Sequence, residues 1–193
     1  MIVKPKVRGF ICTTAHPVGC EAVVKSEIEY VKSRKAEDNG FKPKKVLVLG
    51  SSMGYGLASR IALAYSCGAA TLGVMFDRPA SGSKTGTSGW YNTKAFEKFA
   101  QADGLYAKTV NGDAYSDECK KEVIDIIKAD LGKVDAVVYS LAAPRRTVGD
   151  VTYSSVLKTT GEPYTNKTID LRNNTVSEVT IEPATEEEIA ATV

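Results

Sequence analysis

With 25 Lys and Arg against 23 Asp and Glu in 193 residues, the chain carries a formal charge of +2. That is too near balance to gather nucleic acid or an anionic membrane by its field. Hydrophobic residues make up 43% and aromatics 8%, enough for a packed core and too much for a disordered chain, and the length suits one ordinary domain with room for a small second one.

No apolar run approaches the roughly 20 residues needed to cross a bilayer, so membrane insertion is not expected. The start, Met1-Ile2-Val3-Lys4-Pro5-Lys6, mixes charge into a short apolar stretch and lacks both a long h-region and a small-residue cleavage site, which makes the cytoplasm the expected compartment. Cys12, Cys20, Cys67 and Cys119 show no CxxC pair and no disulfide rhythm, so they read as free thiols, and no metal site is predicted. The single histidine, His16, removes every mechanism that needs two imidazoles, and its expected role is structural.

In chain order, residues 1–45 form an amino-terminal segment. Within it Val24, Ile28 and Val31 recur at helical spacing between Lys25, Glu27, Glu29 and Lys32, an amphipathic helix from Glu21 to Arg34. A core over residues 46–148 follows. Val46-Leu47-Val48-Leu49 is apolar on both faces, as suits a central strand covered by helices on either side. Then come a helix from Leu57 to Tyr65, a strand from Thr71 to Phe76, a helix from Thr93 to Ala102, a strand from Leu105 to Val110, a helix from Asp117 to Leu131 and a strand from Val134 to Tyr139. This alternation predicts an α/β fold, a Rossmann-like doubly wound parallel sheet with ligands at the carboxyl ends of its strands.

Past Pro144 the character changes. Residues 149–193 hold β-branched stretches at Val151–Lys158, Thr168–Leu171 and Val176–Ile181, with a turn at Arg172-Asn173-Asn174, so a β-strand or hairpin excursion is expected. Thr185-Glu186-Glu187-Glu188 then spells a capping box at the start of a helix that Val193 cuts short. The sheet is expected to be incomplete in this chain.

The chemistry concentrates at strand ends. Gly50-Ser51-Ser52-Met53-Gly54-Tyr55-Gly56 lies between the first buried strand and the next helix, a GxxxGxG turn. Its glycines permit a tight turn and close backbone approach, while amides at the helix start face an anion, so the strand-turn-helix context points to the diphosphate of a dinucleotide. The alternative is a strand-to-helix turn that binds nothing. Phe76-Asp77 ends the second strand, and Asp77 stands 21 residues after Gly56, the distance at which a carboxylate accepts from the adenosine ribose and repels the extra phosphate of NADP. NAD is therefore the expected cofactor, although Arg78 is placed to offset the repulsion and a solvated turn is the plain alternative. Asp113 and Ala114 follow the third strand, where a carboxylate could accept from adenine or cap the next helix. Ser140-Leu141-Ala142-Ala143 follows the fourth strand, with small residues that let the backbone lie against a ribose and nicotinamide, or that simply form a tight sheet edge.

Together, Met1-Ile2-Val3-Lys4-Pro5, His16-Pro17, Gly19-Cys20, Gly50 to Gly56, Gly89-Trp90-Tyr91-Asn92, Asp113-Ala114 and Tyr139-Ser140-Leu141-Ala142-Ala143-Pro144 resemble the trans-2-enoyl-CoA reductase, or FabV-type enoyl-acyl-carrier-protein reductase, family over essentially the whole chain. The resemblance implies NADH-dependent reduction of the double bond of trans-2-enoyl thioesters in fatty-acid synthesis or fermentation, with an enoyl-CoA or enoyl-acyl-carrier-protein substrate. It places Ser51 to Gly56 at the pyrophosphate, Phe76 and Asp77 at the adenosine, Asp113 and Ala114 at the adenine, and Leu141 and Ala142 near the nicotinamide ribose. The segment Gly82 to Gly89 resembles a mobile loop beside the cofactor, or is a plain surface loop. Arg145 and Arg146 are placed either to meet a CoA or carrier-protein phosphate or simply to be solvated.

The family's catalytic tyrosine and lysine stand in a Tyr-x8-Lys arrangement. None of the nine tyrosines here has a lysine at that offset, nor at the four-residue offset of short-chain reductases. No catalytic residue is assigned, and the chain reads as an amino-terminal, cofactor-binding half that is inactive alone. Two other readings stay open: another short-chain carbonyl reductase, and a non-catalytic NAD-binding module. Oligomeric state is not written in the sequence.

Overall fold

The computed structural model describes residues 4–8, 11–34, 40–143 and 145–191. The expectations attached to Met1, Ile2, Val3, Pro144 and Val193 lie outside the described residues. The chain divides into two compact units, residues 1–141 and 142–193.

The first unit opens with β1 (Val7–Arg8) and β2 (Ile11–Cys12), a short antiparallel pair. Helix α1 (Pro17–Ser33) starts a turn earlier than its apolar periodicity suggests. His16 is its N-cap, with the ring Nδ1 accepting from the Gly19 amide at 3.0 Å, and Pro17 occupies the first helical position, where no amide is needed. The lone histidine is structural.

Four strands then alternate with three helices: β3 (Lys45–Leu49), α2 (Gly54–Cys67), β4 (Ala70–Met75), α3 (Ser88–Ala102), β5 (Ala107–Asn111), α4 (Asp117–Ile126) and β6 (Ala136–Tyr139). Between α4 and β6 the helix widens into a π-turn at Ile127–Leu131, closed by the Gly132 amide on the Ile127 carbonyl at 2.7 Å. Strands β3 to β6 form one parallel sheet in the order β5-β4-β3-β6, with Leu47 opposite Leu72 on one side and Val137 on the other. Helices α1, α2 and α3 close a core around Ile28, Ile61 and Phe96, while α4 closes another around Val74, Val110 and Val123. The order reverses beside β3. Because neighbouring connections leave in opposite directions there, the loop after β3 sits at the sheet's switch point, where such folds keep a crevice.

In the second unit β7 (Arg145–Val148) pairs antiparallel with β8 (Val151–Ser154) across Gly149-Asp150, and β9 (Tyr164–Asp170) pairs with β10 (Thr175–Ile181). The excursion is thus two hairpins, and the first strand expected within it ends at Ser154 rather than Lys158. Arg145 and Arg146 begin a strand. Strand β9 starts earlier than its apolar residues indicate because polar cross-strand pairs hold it, Thr165 and Thr180 hydroxyls lying 2.8 Å apart. The capping box forms at α5 (Glu186–Ala190): Thr185 Oγ1 accepts from the Glu188 amide, and the Glu188 carboxylate accepts from the Thr185 amide.

No helix among the described residues is long and apolar enough to cross a membrane. No cluster of three or more His, Cys, Asp or Glu among them could hold a metal ion.

Candidate functional site

The turn after β3 is fastened to the end of β4. The Gly50 and Ser51 amides both donate to the Val74 carbonyl, at 3.0 and 2.9 Å, and the buried Ser51 hydroxyl donates to the same oxygen at 3.2 Å. Gly50 has φ +78, and a Cβ there would overlap the Ser140 carbonyl oxygen. A Cβ at Gly56 would overlap the Gly50 carbonyl oxygen and stand 3.3 Å from Ser140 Cβ. Both glycines are therefore demanded by close backbone approach, Gly50 to the residue after β6 and Gly56 to the turn itself.

Gly54, Tyr55 and Gly56, expected in the loop, are the first residues of α2, whose N-cap Met53 offers no side-chain bond. The first intrahelical bond runs from the Leu57 amide to the Met53 carbonyl at 3.3 Å, and the amides of Met53, Gly54 and Tyr55 find no acceptor among the described residues. Met53 and Tyr55 are exposed, Tyr55 to 89%. Unsatisfied amides at a helix start, open to solvent and free of acidic side chains in the first turn, suit an anion such as a diphosphate. Ser52 faces the other way, its carbonyl accepting from Asn92 Nδ2 of α3 at 3.3 Å.

Phe76 lies beyond β4 and is 80% exposed. Asp77, next to it, is half-buried and anchored at three points. Its amide donates to Asn111 Oδ1 and its carbonyl accepts from Asn111 Nδ2, both at 2.9 Å, while its carboxylate Oδ1 accepts from the Thr87 hydroxyl at 2.7 Å. The carboxylate lies against Gly89 in the first turn of α3. Asp77 is not a plain solvated turn residue; Arg78 beside it is exposed.

Asp113 is exposed, and its Oδ1 accepts from the Tyr115 amide at 2.9 Å. It does not cap the following helix, as the sequence allowed. Ser116 does, accepting from the Cys119 amide at 3.2 Å, because an aspartate three residues further back turns the chain instead. Ala114 and Leu141 line one apolar cavity of about 390 Å³ on the α4 side of the sheet, together with Leu49, Val74 and Tyr139. Ala142 is exposed and is the first residue of the second unit.

Beneath the turn lies a residue the sequence did not single out. Arg60 of α2 is fully buried and gives its guanidinium to neutral acceptors: Thr71 Oγ1 at 3.2 Å, Thr109 Oγ1 at 2.9 Å and the Lys108 carbonyl at 2.7 Å. It stacks 4.7 Å from the Phe96 ring. Burial pulls its pKa down to about 10, with the Glu97 charge opposing. Arg60 and Ser51 meet over Gly73, where a Cβ would stand 2.5 Å from Arg60 Nη1 and overlap Ser51 Oγ. Thr87, Asn92 and Asn111 were likewise unassigned. The signature Gly89-Trp90-Tyr91-Asn92 contains Asn92, and the segment Gly82 to Gly89 contains Thr87, while nothing in the sequence pointed to Asn111.

The segment Gly82–Gly89 is tied back on itself. Ser81 and Lys84 exchange backbone bonds at 3.1 and 3.0 Å, and the Gly86 amide donates to the Tyr91 hydroxyl at 2.9 Å.

A parallel sheet covered on both faces, with a glycine turn and uncapped helix amides at its switch point, defines a Rossmann-like α/β protein. The family model described as the NAD(P)H binding domain of trans-2-enoyl-CoA reductase matches residues 2–82, and the one described as the trans-2-enoyl-CoA reductase catalytic region matches residues 84–193. The chain belongs to the trans-2-enoyl-CoA reductase family. It is 59% identical to the trans-2-enoyl-CoA reductase [NADH] of Ruminiclostridium cellulolyticum, covering 100% of this chain and 49% of that protein. It is 58% identical to the enoyl-[acyl-carrier-protein] reductase [NADH] of a Marinomonas species, covering 100% of this chain and 48% of the relative. Among solved structures, the trans-2-enoyl-CoA reductase of Treponema denticola in complex with NAD superposes with a TM-score of 0.87 at 50% identity, over 100% of this chain and 49% of that one. The chain spans about half the length of the curated relatives it matches.

Proposed function

We propose that the chain binds NADH at the turn after β3 and serves, as a cytoplasmic reductase, the reduction of the carbon-carbon double bond of trans-2-enoyl thioesters of CoA or acyl-carrier protein. The observation that carries this reading is the row of amides at Met53, Gly54 and Tyr55 with no acceptor among the described residues, at the switch point of a chain from this family. Relatives named for NADH and neighbours described in complex with NAD or NADH support the choice of cofactor.

The turn Gly50-Ser51-Ser52-Met53-Gly54-Tyr55-Gly56 is assigned to the diphosphate, with the amides of Met53, Gly54 and Tyr55 as donors while those of Gly50 and Ser51 hold the turn to Val74, and Phe76 and Asp77 are assigned to the adenosine. Asp113, through the carboxylate oxygen with no partner among the described residues, and Ala114 are assigned to the adenine, and Leu141, followed in the chain by Ala142, to the nicotinamide ribose. Residues 46–148 are read as the dinucleotide-binding core, 1–45 as a segment packed before it, and 149–193 as a β excursion ending in a short helix. Bound NADH would supply hydride to the β-carbon of the enoyl thioester. The chain's residues bind and orient: the helix amides neutralise the diphosphate, and the Asp77 carboxylate selects the nucleotide without a 2′-phosphate.

With no Tyr-x8-Lys pair in its sequence, the chain alone is expected to bind without turnover. Fluorescence titration with NADH should saturate, and crotonyl-CoA should cause no loss of NADH absorbance. A folded sample that gives no binding signal would refute the cofactor site, and turnover by the 193-residue chain would refute its inactivity.

A further inference from the structure

We propose that the start of α3 positions both halves of the nucleotide site, Asn92 by fixing the Ser52–Met53 peptide and Gly89 by giving the Asp77 carboxylate its seat. The inference rests on the reading of the β3–α2 turn as a diphosphate cradle and of Asp77 as the selector of the ribose. Gly89 and Asn92 are three residues apart, so they share one face of the helix.

A planar trans peptide points its C=O and N–H in opposite directions. Asn92 Nδ2 holds the Ser52 carbonyl at 3.3 Å on the α3 side. The Met53 N–H is thereby turned away from α3, and that amide has no acceptor among the described residues. Asn92 supplies the one side-chain bond to this carbonyl among the described residues, and without that donor the carbonyl is free to turn toward a phosphate that needs a donor.

At Gly89 the constraint is space. A Cβ there would stand 2.5 Å from each Asp77 carboxylate oxygen, closer than real Cβ contacts come. Any side chain at position 89 must therefore displace the carboxylate from the Thr87 hydroxyl that holds it at 2.7 Å. The backbone of Asp77 stays clamped by Asn111, so the carboxylate alone moves. One helix face thus governs affinity through residue 92 and selectivity through residue 89.

The test measures NADH and NADPH affinities and nucleotide-free unfolding midpoints for the chain and its variants. Asn92→Asp keeps the side-chain shape and puts an acceptor against the Ser52 carbonyl; both affinities should fall about tenfold with their ratio unchanged. Gly89→Ala should lower the preference for NADH over NADPH severalfold. Thr87→Val, which removes the hydroxyl with little change of volume, should shift the ratio the same way and serves if Gly89→Ala does not fold. A folded Asn92→Asp chain with unaltered affinities, or an unaltered ratio in both Gly89→Ala and Thr87→Val, overturns the proposal. If the unsubstituted chain fails to bind NADH, or Asp77→Ala leaves the ratio unchanged, the premise falls and the proposal with it.

Discussion

On the proposed reading, the Asp77 side chain carries the choice between cofactors. Two unit charges 4 Å apart repel by about 1 kcal/mol in water and about 4 kcal/mol at an effective dielectric of 20, which is one to three decades of preference. Asp77→Ala is expected to remove most of the preference for NADH over NADPH, measured as the ratio of the two dissociation constants. Arg60 acts in the opposite place, inside the core. Its removal would leave the Lys108 carbonyl and two threonine hydroxyls short of a donor and open a void beside Phe96. Arg60→Ala should cost about 2–4 kcal/mol, read from the urea midpoint. The cysteines differ by surroundings: Thr14 hydrogen bonds lower the exposed Cys12 thiol's pKa, while burial raises that of Cys119. Cys12 should be alkylated by iodoacetamide well before Cys119, as peptide mass spectrometry would show.

Elements are held at their ends by residues far away in sequence. The start of β3 is fastened by Asp135, whose carboxylate accepts from the Lys44 and Lys45 amides at 2.9 Å each. Those bonds keep the carboxyl below the usual carboxylate range. A group whose folded value is depressed contributes stability above its unfolded pKa of about 3.9 and loses it as pH falls through the folded value. Unfolding midpoints should therefore drop on acidification below about pH 4, and Asp135→Asn should flatten that acid limb. Helix α1 depends on its cap in the same way, and His16→Ala should cost about 1 kcal/mol. The amphipathic stripe of Val24 and Ile28 made this helix legible, yet its start was hidden, because a histidine is an unusual cap and Pro17 reads first as a breaker. The helix from Asp117 to Leu131 was legible as a period of apolar residues, but not its wide last turn, which depends on how the Gly132 amide closes.

Across the whole molecule, binding and folding are linked. If NADH binds only the folded chain, a hundredfold excess over its dissociation constant adds about 2.7 kcal/mol and should raise the unfolding midpoint by about 5–10 °C in a thermal scan. The sheet that would report this is legible in the sequence: continuous apolar runs such as Val46 to Leu49 alternate with helical periods, and that rhythm admits few topologies. The glycine turn was readable as well, since only glycine tolerates the contacts with the Ser140 carbonyl and the Gly50 carbonyl. The two hairpins of residues 142–193 were partly hidden, because Arg145-Arg146 and the polar Thr165-Asn166-Lys167 carry no apolar alternation. By itself, then, the sequence determined which segments become strands and helices and where the glycine turn lies, because these follow from local periodicity and backbone sterics. Only the tertiary structure decided what fastens that turn and the end of β4: Asn92 reaches Ser52 across 40 residues and Thr87 reaches Asp77 across 10, contacts that no local rule encodes because folding alone brings the partners together.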